Sequence, residues 1–179
     1  VDIAATDIEN MVKFAKDNAI DLVMVAPDDP LVLGMVDAME KEGIRAFGPR
    51  ANAAIIEGSK AFSKELMKKY NIPTANYEVF TDSTSAIDYI KAQNTFPTVI
   101  KADGLALGKG VIIAQNLEEA EQAVHEMIDD GKFGKSGSRV VIEEFLTGPE
   151  VSVLAFTDGK TVKPMVSAQD HKRAYDNDE

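Results

Sequence analysis

The sequence predicts an α/β segment followed by an α+β domain, and two patterns lead to that fold class. Residues 1–48 alternate amphipathic helices with short apolar strands, the order found in a doubly wound parallel sheet. Residues 75–145 instead join neighbouring strands through short turns, and strands joined in this way run antiparallel. Pro49 and Pro73 interrupt the pattern between the two parts. The predicted organisation is the C-terminal part of a doubly wound domain (1–48), a helical linker (49–74), an α+β domain (75–145) and the incomplete start of a larger domain (146–179).

The doubly wound part is predicted from its helix signals and its apolar runs. Thr6 and Glu9 form a capping box, because their side chains can satisfy free N–H groups at a helix start. Residues 21–26 are apolar enough for a strand buried on both faces. Two aspartates and a proline then begin a single helix, which Gly43 ends. A second short strand is predicted at 44–47.

The later elements follow from the same signals. Helices are predicted at 51–56 and 59–70, with Ser59 as the N-cap of the second. Asn116 and Glu119 form a further capping box at the start of a helix over 116–130. Another helix is predicted at 83–92. Alternating apolar residues predict strands at 77–80, 97–102, 111–114, 139–144, 151–156 and 161–166.

Composition excludes several classes of protein. With 19 basic and 30 acidic residues the net charge is −11, which argues against a surface that coats nucleic acid. The absence of cysteine excludes disulfides, thiolate metal sites and cysteine nucleophiles, and two histidines are too few for a histidine-rich metal centre. No apolar run approaches the ~20 residues that span a bilayer, and no signal peptide is evident. We therefore expect a soluble cytoplasmic protein, or a piece of a longer one.

The most informative segment is residues 101–110, where three glycines and two lysines connect two predicted strands. It is not a P-loop, because Walker spacing requires glycine in place of Asp103, serine or threonine in place of Gly110, and a helix afterwards. Glycines nevertheless let backbone N–H groups face phosphate oxygens, and lysines supply positive charge. The residues alone leave open an ordinary solvated hairpin.

Three further segments carry candidate binding residues. Lys60 lies in the first turn of a predicted helix, where the helix dipole disfavours a cation unless an anion is present. Residues 140–153 form a strand, a turn and a second strand with acids at the turn, where backbone groups could contact an adenine and a carboxylate a ribose. A polar cluster at 167–173 follows a predicted strand. Taken singly, each pattern is also typical of side chains that face water.

Taken together, these motifs resemble the ATP-grasp superfamily and, within it, the phosphoribosylamine–glycine ligase family, also called the glycinamide ribonucleotide synthetases. The resemblance extends from about Asp21 to the last residue, in order and spacing. Two positions depart from the family pattern: Pro149 stands where glutamate is expected, and Leu107 where alanine is expected. The motifs are Glu-Gly-Ser-Lys at 57–60, Lys-Ala-Asp-Gly-Leu-Ala-Leu-Gly-Lys-Gly at 101–110, Glu-Glu-Phe-Leu at 143–146 and Gln-Asp-His-Lys-Arg at 169–173.

The resemblance implies an ATP-grasp fold, with 75–145 as its lid subdomain, and a set of nucleotide-binding residues. The two phosphate-binding lysines would be Lys60 and Lys101. The lid loop over the phosphates would contain Gly104, Gly108, Lys109 and Gly110. The hinge that reads adenine, chiefly through its main chain, would be Glu143, Glu144, Phe145 and Leu146. Glu150 would accept the ribose hydroxyls, and the substrate side would begin at Asp170, His171 and Lys172. No residue of this chain is assigned as a catalytic nucleophile or a metal ligand.

The implied activity is the ATP-dependent ligation of glycine to 5-phosphoribosylamine through an acyl phosphate, a step of purine biosynthesis. The implied cofactors are ATP and Mg²⁺ or Mn²⁺, with the metal ligands outside this chain, and the implied enzyme is a cytoplasmic monomer that binds neither nucleic acid nor membrane. We expect the 179 residues alone to be inactive. The alternatives are another ATP-grasp carboxylate–amine ligase and a non-catalytic adenine-nucleotide-binding module.

Overall fold

The computed structural model describes residues 1–106 and 109–170. They form two compact units, which are divided between Phe145 and Leu146. The first unit contains the elements α1 (Ile8–Asp17), β1 (Leu22–Met24), α2 (Asp28–Val32), α3 (Met35–Lys41), β2 (Arg45–Phe47), α4 (Ala51–Gly58), α5 (Lys60–Lys69), β3 (Tyr77–Phe80), α6 (Ser83–Gln93), β4 (Thr98–Ala102), β5 (Val111–Ala114), α7 (Leu117–Ile128), a 3₁₀ helix (Gly134–Gly137) and β6 (Val140–Glu144). The second contains β7 (Ala155–Thr157) and β8 (Val162–Pro164).

The N-terminal part has the predicted parallel pairing, since β1 and β2 run side by side with Val23 opposite Ala46. Its core lies between α1, α3 and β1, where Val36 and Met39 are almost fully buried. The predicted cap of α1 is wrong by one residue. The carboxylate of Asp7, and not the hydroxyl of Thr6, accepts the N–H of Asn10 at 3.2 Å.

Two further predictions for this part are wrong. The single helix that was predicted up to Gly43 is two helices, because Gly34 adopts a left-handed conformation (φ = 90°) that ends one and begins the next. The first strand is not buried on both faces. Leu22 and Met24 are 54% and 62% exposed, and β1 pairs with β2 alone in the sheet that the described residues form.

The helix starts of the later part follow local side-chain chemistry as predicted. Ser59 is the N-cap of α5, and its Oγ accepts the N–H of Phe62 at 3.1 Å. Asn116 caps α7 in the same way, since its Oδ1 accepts the N–H of Glu119 at 3.0 Å. The carboxylate of Glu119 reaches back over the helix start and accepts the N–H of Gln115, the residue before the cap, at 2.8 Å.

The centre of the first unit is an antiparallel sheet in the order β3-β6-β4-β5, with α6 and α7 packed on one face. Ile100, Val140 and Ile142 point into that helix-covered core and are at most 2% exposed. Side chains alternate along a strand, so Lys101 and Glu143 point to the opposite face. The alternation therefore places charged groups on the sheet face that α5 approaches.

The second unit is an antiparallel pair of short strands, β7 and β8, with Phe156 opposite Lys163. Both strands are shorter than predicted. Residues 151–154 lie outside β7, although Ser152 forms an isolated bridge with Ala168. Val153, Leu154 and Phe156 are more than half exposed. Few apolar side chains of this strand pair are buried in the described part of the chain. Little packing is therefore present to stabilise longer strands.

Within the described ranges, none of the helices is both long and apolar enough to cross a membrane.

Replacing Ile100 by alanine should destabilise the protein by about 2–5 kcal/mol, because the side chain is fully buried between the sheet and its two helices. Ile113, on the neighbouring strand β5, is 47% exposed and provides a matched control. The same change at Ile113 should cost about 1 kcal/mol or less. Urea unfolding of both variants measures the difference, and equal losses would contradict the described core.

Candidate functional site

Lys60, the first residue of α5, lies against the start of the glycine-rich segment. Its backbone N–H donates to the carbonyl of Asp103 at 3.0 Å, and its Nζ donates to the carbonyl of Gly104 at 3.0 Å. Burial is the main cause that lowers the pKa of Lys60; the charge of Asp103 opposes this shift, whereas that of Lys101 adds to it. The ammonium is thus held by neutral carbonyls beside a second cation, a setting that an anion would stabilise.

Asp103 is the hub of a buried network that the sequence predictions did not include. Its carboxylate is 8% exposed and accepts hydrogen bonds from Ser59 Oγ at 3.0 Å and from the backbone N–H of Ala61 at 2.7 Å. Arg139 adds two more, from Nε at 3.0 Å and Nη2 at 2.5 Å. One carboxylate therefore joins the end of β4 to the start of α5 and to the residue before β6.

Lys101 shares a carboxylate with a third lysine. Glu143 is 5% exposed, and its Oε2 accepts a hydrogen bond from Lys101 Nζ at 2.9 Å and forms an ion pair with Lys64 Nζ at 3.1 Å. Lys64 also donates to Thr74 Oγ1 at 2.7 Å and to the carbonyl of Ala75 at 3.3 Å. The cluster of Lys64, Lys101 and Glu143, which we call the lysine–glutamate triad, carries one net positive charge.

The entry to the glycine-rich segment is held by the 3₁₀ helix. The backbone N–H of Gly104 donates to the carbonyl of Ser136 at 3.2 Å, and Ser136 Oγ donates to the carbonyl of Leu105 at 2.9 Å. A Cβ at position 104 would lie 2.5 Å from Ser136 Oγ. Gly104 is therefore required by close packing against Ser136, and a larger side chain would displace the segment.

The far end of the segment is also tight. Gly110 accepts the N–H of Ala102 at 2.8 Å, and a Cβ there would lie 2.7 Å from the Cβ of Ala106. The backbone N–H of Lys109 donates to the carbonyl of Ala106 at 2.9 Å, whereas the residue itself is exposed. Gly108, also predicted as part of this loop, lies outside the described residues.

A cavity of about 540 Å³ opens beside Lys60. One wall is the loop that follows β1 together with the start of α2 at Asp28 and Asp29, and the other is the glycine-rich segment at Leu105 and Gly110. Its position at the carboxyl end of a parallel strand is the usual place for a ligand in a doubly wound sheet. Glu57 completes a lining that combines several acids with one lysine.

The predicted hinge residues have separate surroundings. The side chain of Glu143 is committed to the triad, and its carbonyl accepts from Thr98 Oγ1 at 3.3 Å. Glu144 is exposed, and its carboxylate accepts from the backbone N–H and the Nδ2 of Asn76, both at 3.0 Å. These bonds lower the pKa of the Glu144 carboxyl. Phe145, which follows, is 40% exposed.

The remaining predicted site residues lie in the second unit or beyond the described ranges. Leu146 is 64% exposed, and Glu150 and Asp170 are exposed as well. His171 and Lys172 lie outside the described residues. The structure thus brings together Lys60, Lys101, Gly104 and Glu143, whereas the roles of the second-unit residues stay predictions.

Within residues 1–106 and 109–170, no three acidic or histidine side chains cluster closely enough to hold a metal ion. The prediction that metal ligands lie elsewhere in the protein therefore stays a prediction.

Asp103 and Lys64 carried signals that the sequence predictions did not use. Asp103 directly follows an apolar strand and precedes a glycine, a position where a carboxylate often binds neighbouring backbone groups. Lys64 lies three residues after Ala61, on the buried face of α5. A lysine on the apolar face of a helix indicates a buried partner, because an unpaired buried ammonium is costly.

Solved structures of other proteins have a similar architecture. The chain is similar to the crystal structure of a phosphoribosylamine–glycine ligase from Thermotoga maritima, with a TM-score of 0.70 and 39% identity over 75% of this chain and 34% of that one. It also shares the fold of the biotin carboxylase domain of a Hydrogenobacter thermophilus 2-oxoglutarate carboxylase, solved with MgADP (TM-score 0.68, 21% identity, 82% of this chain and 33% of that one). The fold and the lysines at the glycine-rich segment define an ATP-grasp protein.

The particular family follows from sequence comparison. Residues 58–179 match the ATP-grasp (A) domain model of phosphoribosylglycinamide synthetase, and residues 1–57 match its N domain model. The chain belongs to the phosphoribosylglycinamide synthetase family. It is 54% identical over 179 residues to a phosphoribosylamine–glycine ligase from Halalkalibacterium halodurans, covering 100% of this chain and 42% of that protein. It spans about two-fifths of the length of the curated relatives that it matches.

Replacing Asp103 by asparagine should destabilise the protein by roughly 2–3 kcal/mol. Arg139 would lose its charged partner, and the other groups that donate to the Asp103 carboxylate would stay buried. Asp82→Asn is the matched control. Asp82 is an exposed N-cap of α6, and asparagine caps a helix about as well as aspartate. Thermal and urea unfolding measure both changes; a control variant as unstable as Asp103→Asn would show that the buried network contributes nothing specific.

Proposed function

We propose that the full-length protein to which this chain belongs ligates glycine to 5-phosphoribosylamine, consuming ATP and releasing ADP and phosphate. The observation that carries the proposal is that Lys60 and Lys101 lie close together at the start of the glycine-rich segment, in a chain of this family. Both ammonium groups keep part of their surface accessible while the chain fixes their positions. Fixed cations of this kind bind and polarise phosphates without reorganising during the reaction.

The reaction has two covalent steps. A carboxylate oxygen of glycine attacks the γ-phosphorus of ATP, the bond from that phosphorus to the β–γ bridging oxygen breaks, and ADP leaves. The amine of phosphoribosylamine then attacks the acyl carbon, phosphate leaves, and the amine loses a proton. Lys60 and Lys101 neutralise the charge that develops on the phosphoryl oxygens. The chain's part is therefore positioning and charge stabilisation, with no protein nucleophile.

Because the Glu143 side chain is paired with Lys101 in the triad, we propose that main-chain groups recognise adenine. The backbone N–H of Glu144 and the carbonyl of Glu143 are already bonded, so we assign the adenine contacts to the remaining main-chain groups of residues 144–146. We propose that Glu150 accepts hydrogen bonds from the ribose hydroxyls and that contacts with the other substrates begin at Asp170, as the family resemblance implies. Residues 104–110 form the proposed lid over the phosphates.

The cavity beside Lys60 is our proposed site for the sugar substrate. Carboxylates such as Asp28, Asp29 and Glu57 can accept ribose hydroxyls, and the cavity borders the lysine that we assign to the phosphates. This placement would bring the sugar amine to the side of the glycine-rich segment where the acyl phosphate forms.

A divalent cation is also part of the proposal. The Hydrogenobacter structure that shares this fold was solved with MgADP, which supports Mg²⁺ as the ion that accompanies the nucleotide, with Mn²⁺ as the alternative. Such an ion would neutralise phosphate charge that the lysines do not meet. We further propose a cytoplasmic enzyme of purine biosynthesis, consistent with the activity for which the relatives are named.

The proposal is tested by ADP formation in the full-length protein. We expect ADP release that requires both glycine and phosphoribosylamine, with the glycine amide as product by mass spectrometry. Release with another acid and amine, but not with these two, would identify a different ATP-grasp ligase. Nucleotide binding without any turnover would indicate a binding module. The 179-residue chain alone serves as a comparison and is expected to be inactive.

Lys101→Met should weaken ATP binding more than Lys109→Met in the full-length protein. Lys101 lies on β4 and is held by Glu143, whereas Lys109 is exposed at the end of the loop and must be ordered on binding, at a cost of about 1–2 kcal/mol per residue fixed. Titration calorimetry with ATP measures both dissociation constants. A larger loss at Lys109 would reverse the ranking and place the phosphates nearer the end of the loop.

A further inference from the structure

Lys64 is the lysine of the triad that the proposed mechanism does not use. Its side chain is 9% exposed, and its Nζ lies against three oxygen atoms: it donates to Thr74 Oγ1 and to the carbonyl of Ala75, and it forms an ion pair with Glu143 Oε2 at 3.1 Å. Its Nζ also lies 5.4 Å from the centre of the Tyr77 ring. An ammonium enclosed in this way presents almost no surface to a ligand. Lys64 therefore cannot act by touching the nucleotide.

Lys101 has the opposite arrangement. Its side chain is 27% exposed, and in the described ranges Glu143 is the single acceptor that its ammonium contacts. Two of its three donors thus stay available on the accessible side. Both lysines bind the same oxygen of Glu143, so neither has sole use of that carboxylate.

Because of this geometry, Lys64 and Lys101 share the negative charge of Glu143. Two ammonium groups and one carboxylate leave one net positive charge, and the buried position of Lys64 leaves the accessible part of that charge at Lys101. We propose that Lys64 is a positioning residue for nucleotide binding: by sharing the carboxylate of Glu143, it leaves the positive charge of Lys101 less neutralised on the side that faces the phosphates. The proposal rests on the nucleotide site assigned under the proposed function, and Lys64 acts in it only through Glu143.

Removal of Lys64 would change the charge balance and not merely the packing. Methionine has a similar length and no charge, so the buried space stays filled. Glu143 would then pair with Lys101 alone, and the cluster would become neutral. A phosphate would have to compete with a buried carboxylate for the same ammonium. The loss should therefore fall on ligands with phosphates and spare the adenine and ribose contacts.

The test measures ATP and adenosine binding in the full-length protein, by displacement of a fluorescent nucleotide. Lys64→Met should weaken ATP binding by about tenfold or more, whereas adenosine binding should change by less than about threefold. A general loss of structure would weaken both ligands together. Equal losses for ATP and adenosine would therefore overturn the proposal.

Lys68→Met is the matched control for charge. Lys68 lies one turn further along α5 and is exposed, so the substitution removes the same charge without altering the triad. We expect less than about a twofold change in ATP affinity, because exposed charges are screened. A loss at Lys68 equal to that at Lys64 would show that net charge alone is responsible.

A double-mutant cycle with Glu143→Gln tests the proposed path through Glu143. Without the carboxylate, Lys101 has no anion to compete with phosphate, so Lys64→Met should cost less than about fivefold in that background. A larger loss there would overturn the proposal. If Lys64→Met alone does not fold, as judged by its melting curve, this comparison carries the test. The double variant has no buried charge in the cluster, and in Glu143→Gln alone Lys64 keeps Thr74 Oγ1 and the carbonyl of Ala75 as acceptors.

Failure of the inference can be told apart from failure of the proposed function. If the unsubstituted protein forms no ADP with glycine and phosphoribosylamine but shows the binding pattern above, the proposed reaction is wrong and the role of Lys64 stands. If that protein is active but Lys64→Met weakens adenosine as much as ATP, the reaction stands and the role of Lys64 is wrong.

Discussion

The buried carboxylate of Asp103 is the constraint on which the arrangement of the site depends. It lies directly after β4, accepts hydrogen bonds from the cap and the first turn of α5, and pairs with Arg139 at the entry to β6. Three stretches that are far apart in the sequence therefore meet at one side chain. Lys60 begins the helix that Asp103 holds, and Lys101 lies two residues before it. The relative position of Lys60 and Lys101, the two lysines that we propose bind the phosphates, is thus fixed before any ligand arrives.

The second constraint is electrostatic. Lys101 is near enough to Lys60 that its charge, after the effect of burial, helps to lower the pKa of Lys60. In a protein with a net charge of −11, the buried carboxylate of Glu143 holds two lysines, Lys64 and Lys101, close together. The charge of the triad is therefore opposite to that of the whole chain. Because salt limits the reach of the distant charges to about 8 Å, the local arrangement decides what binds.

Sequence alone predicted those features of the fold that depend on neighbouring residues. The caps at Ser59 and Asn116 were correct because a side chain three residues from its partner N–H needs no tertiary structure to bind it. The break at Gly34 was missed because the apolar pattern continues across it. Of the site, Lys60 and Lys101 were named through the family motif, and the structure places them as neighbours. Lys64 and Arg139 were missed, because their roles come from contacts across 79 and 36 residues of chain, respectively.

The close contact between Gly104 and Ser136 has a consequence for how this family can diverge. Any side chain at position 104 would overlap Ser136 Oγ, yet that hydroxyl also holds the carbonyl of Leu105. A substitution at either position alone is penalised, and only a simultaneous change at both could relieve the overlap and replace the lost hydrogen bond. The two positions should therefore covary among homologues or stay fixed together. Evolution by single substitutions is therefore disfavoured at positions 104 and 136, whereas exposed residues around them are not under this constraint.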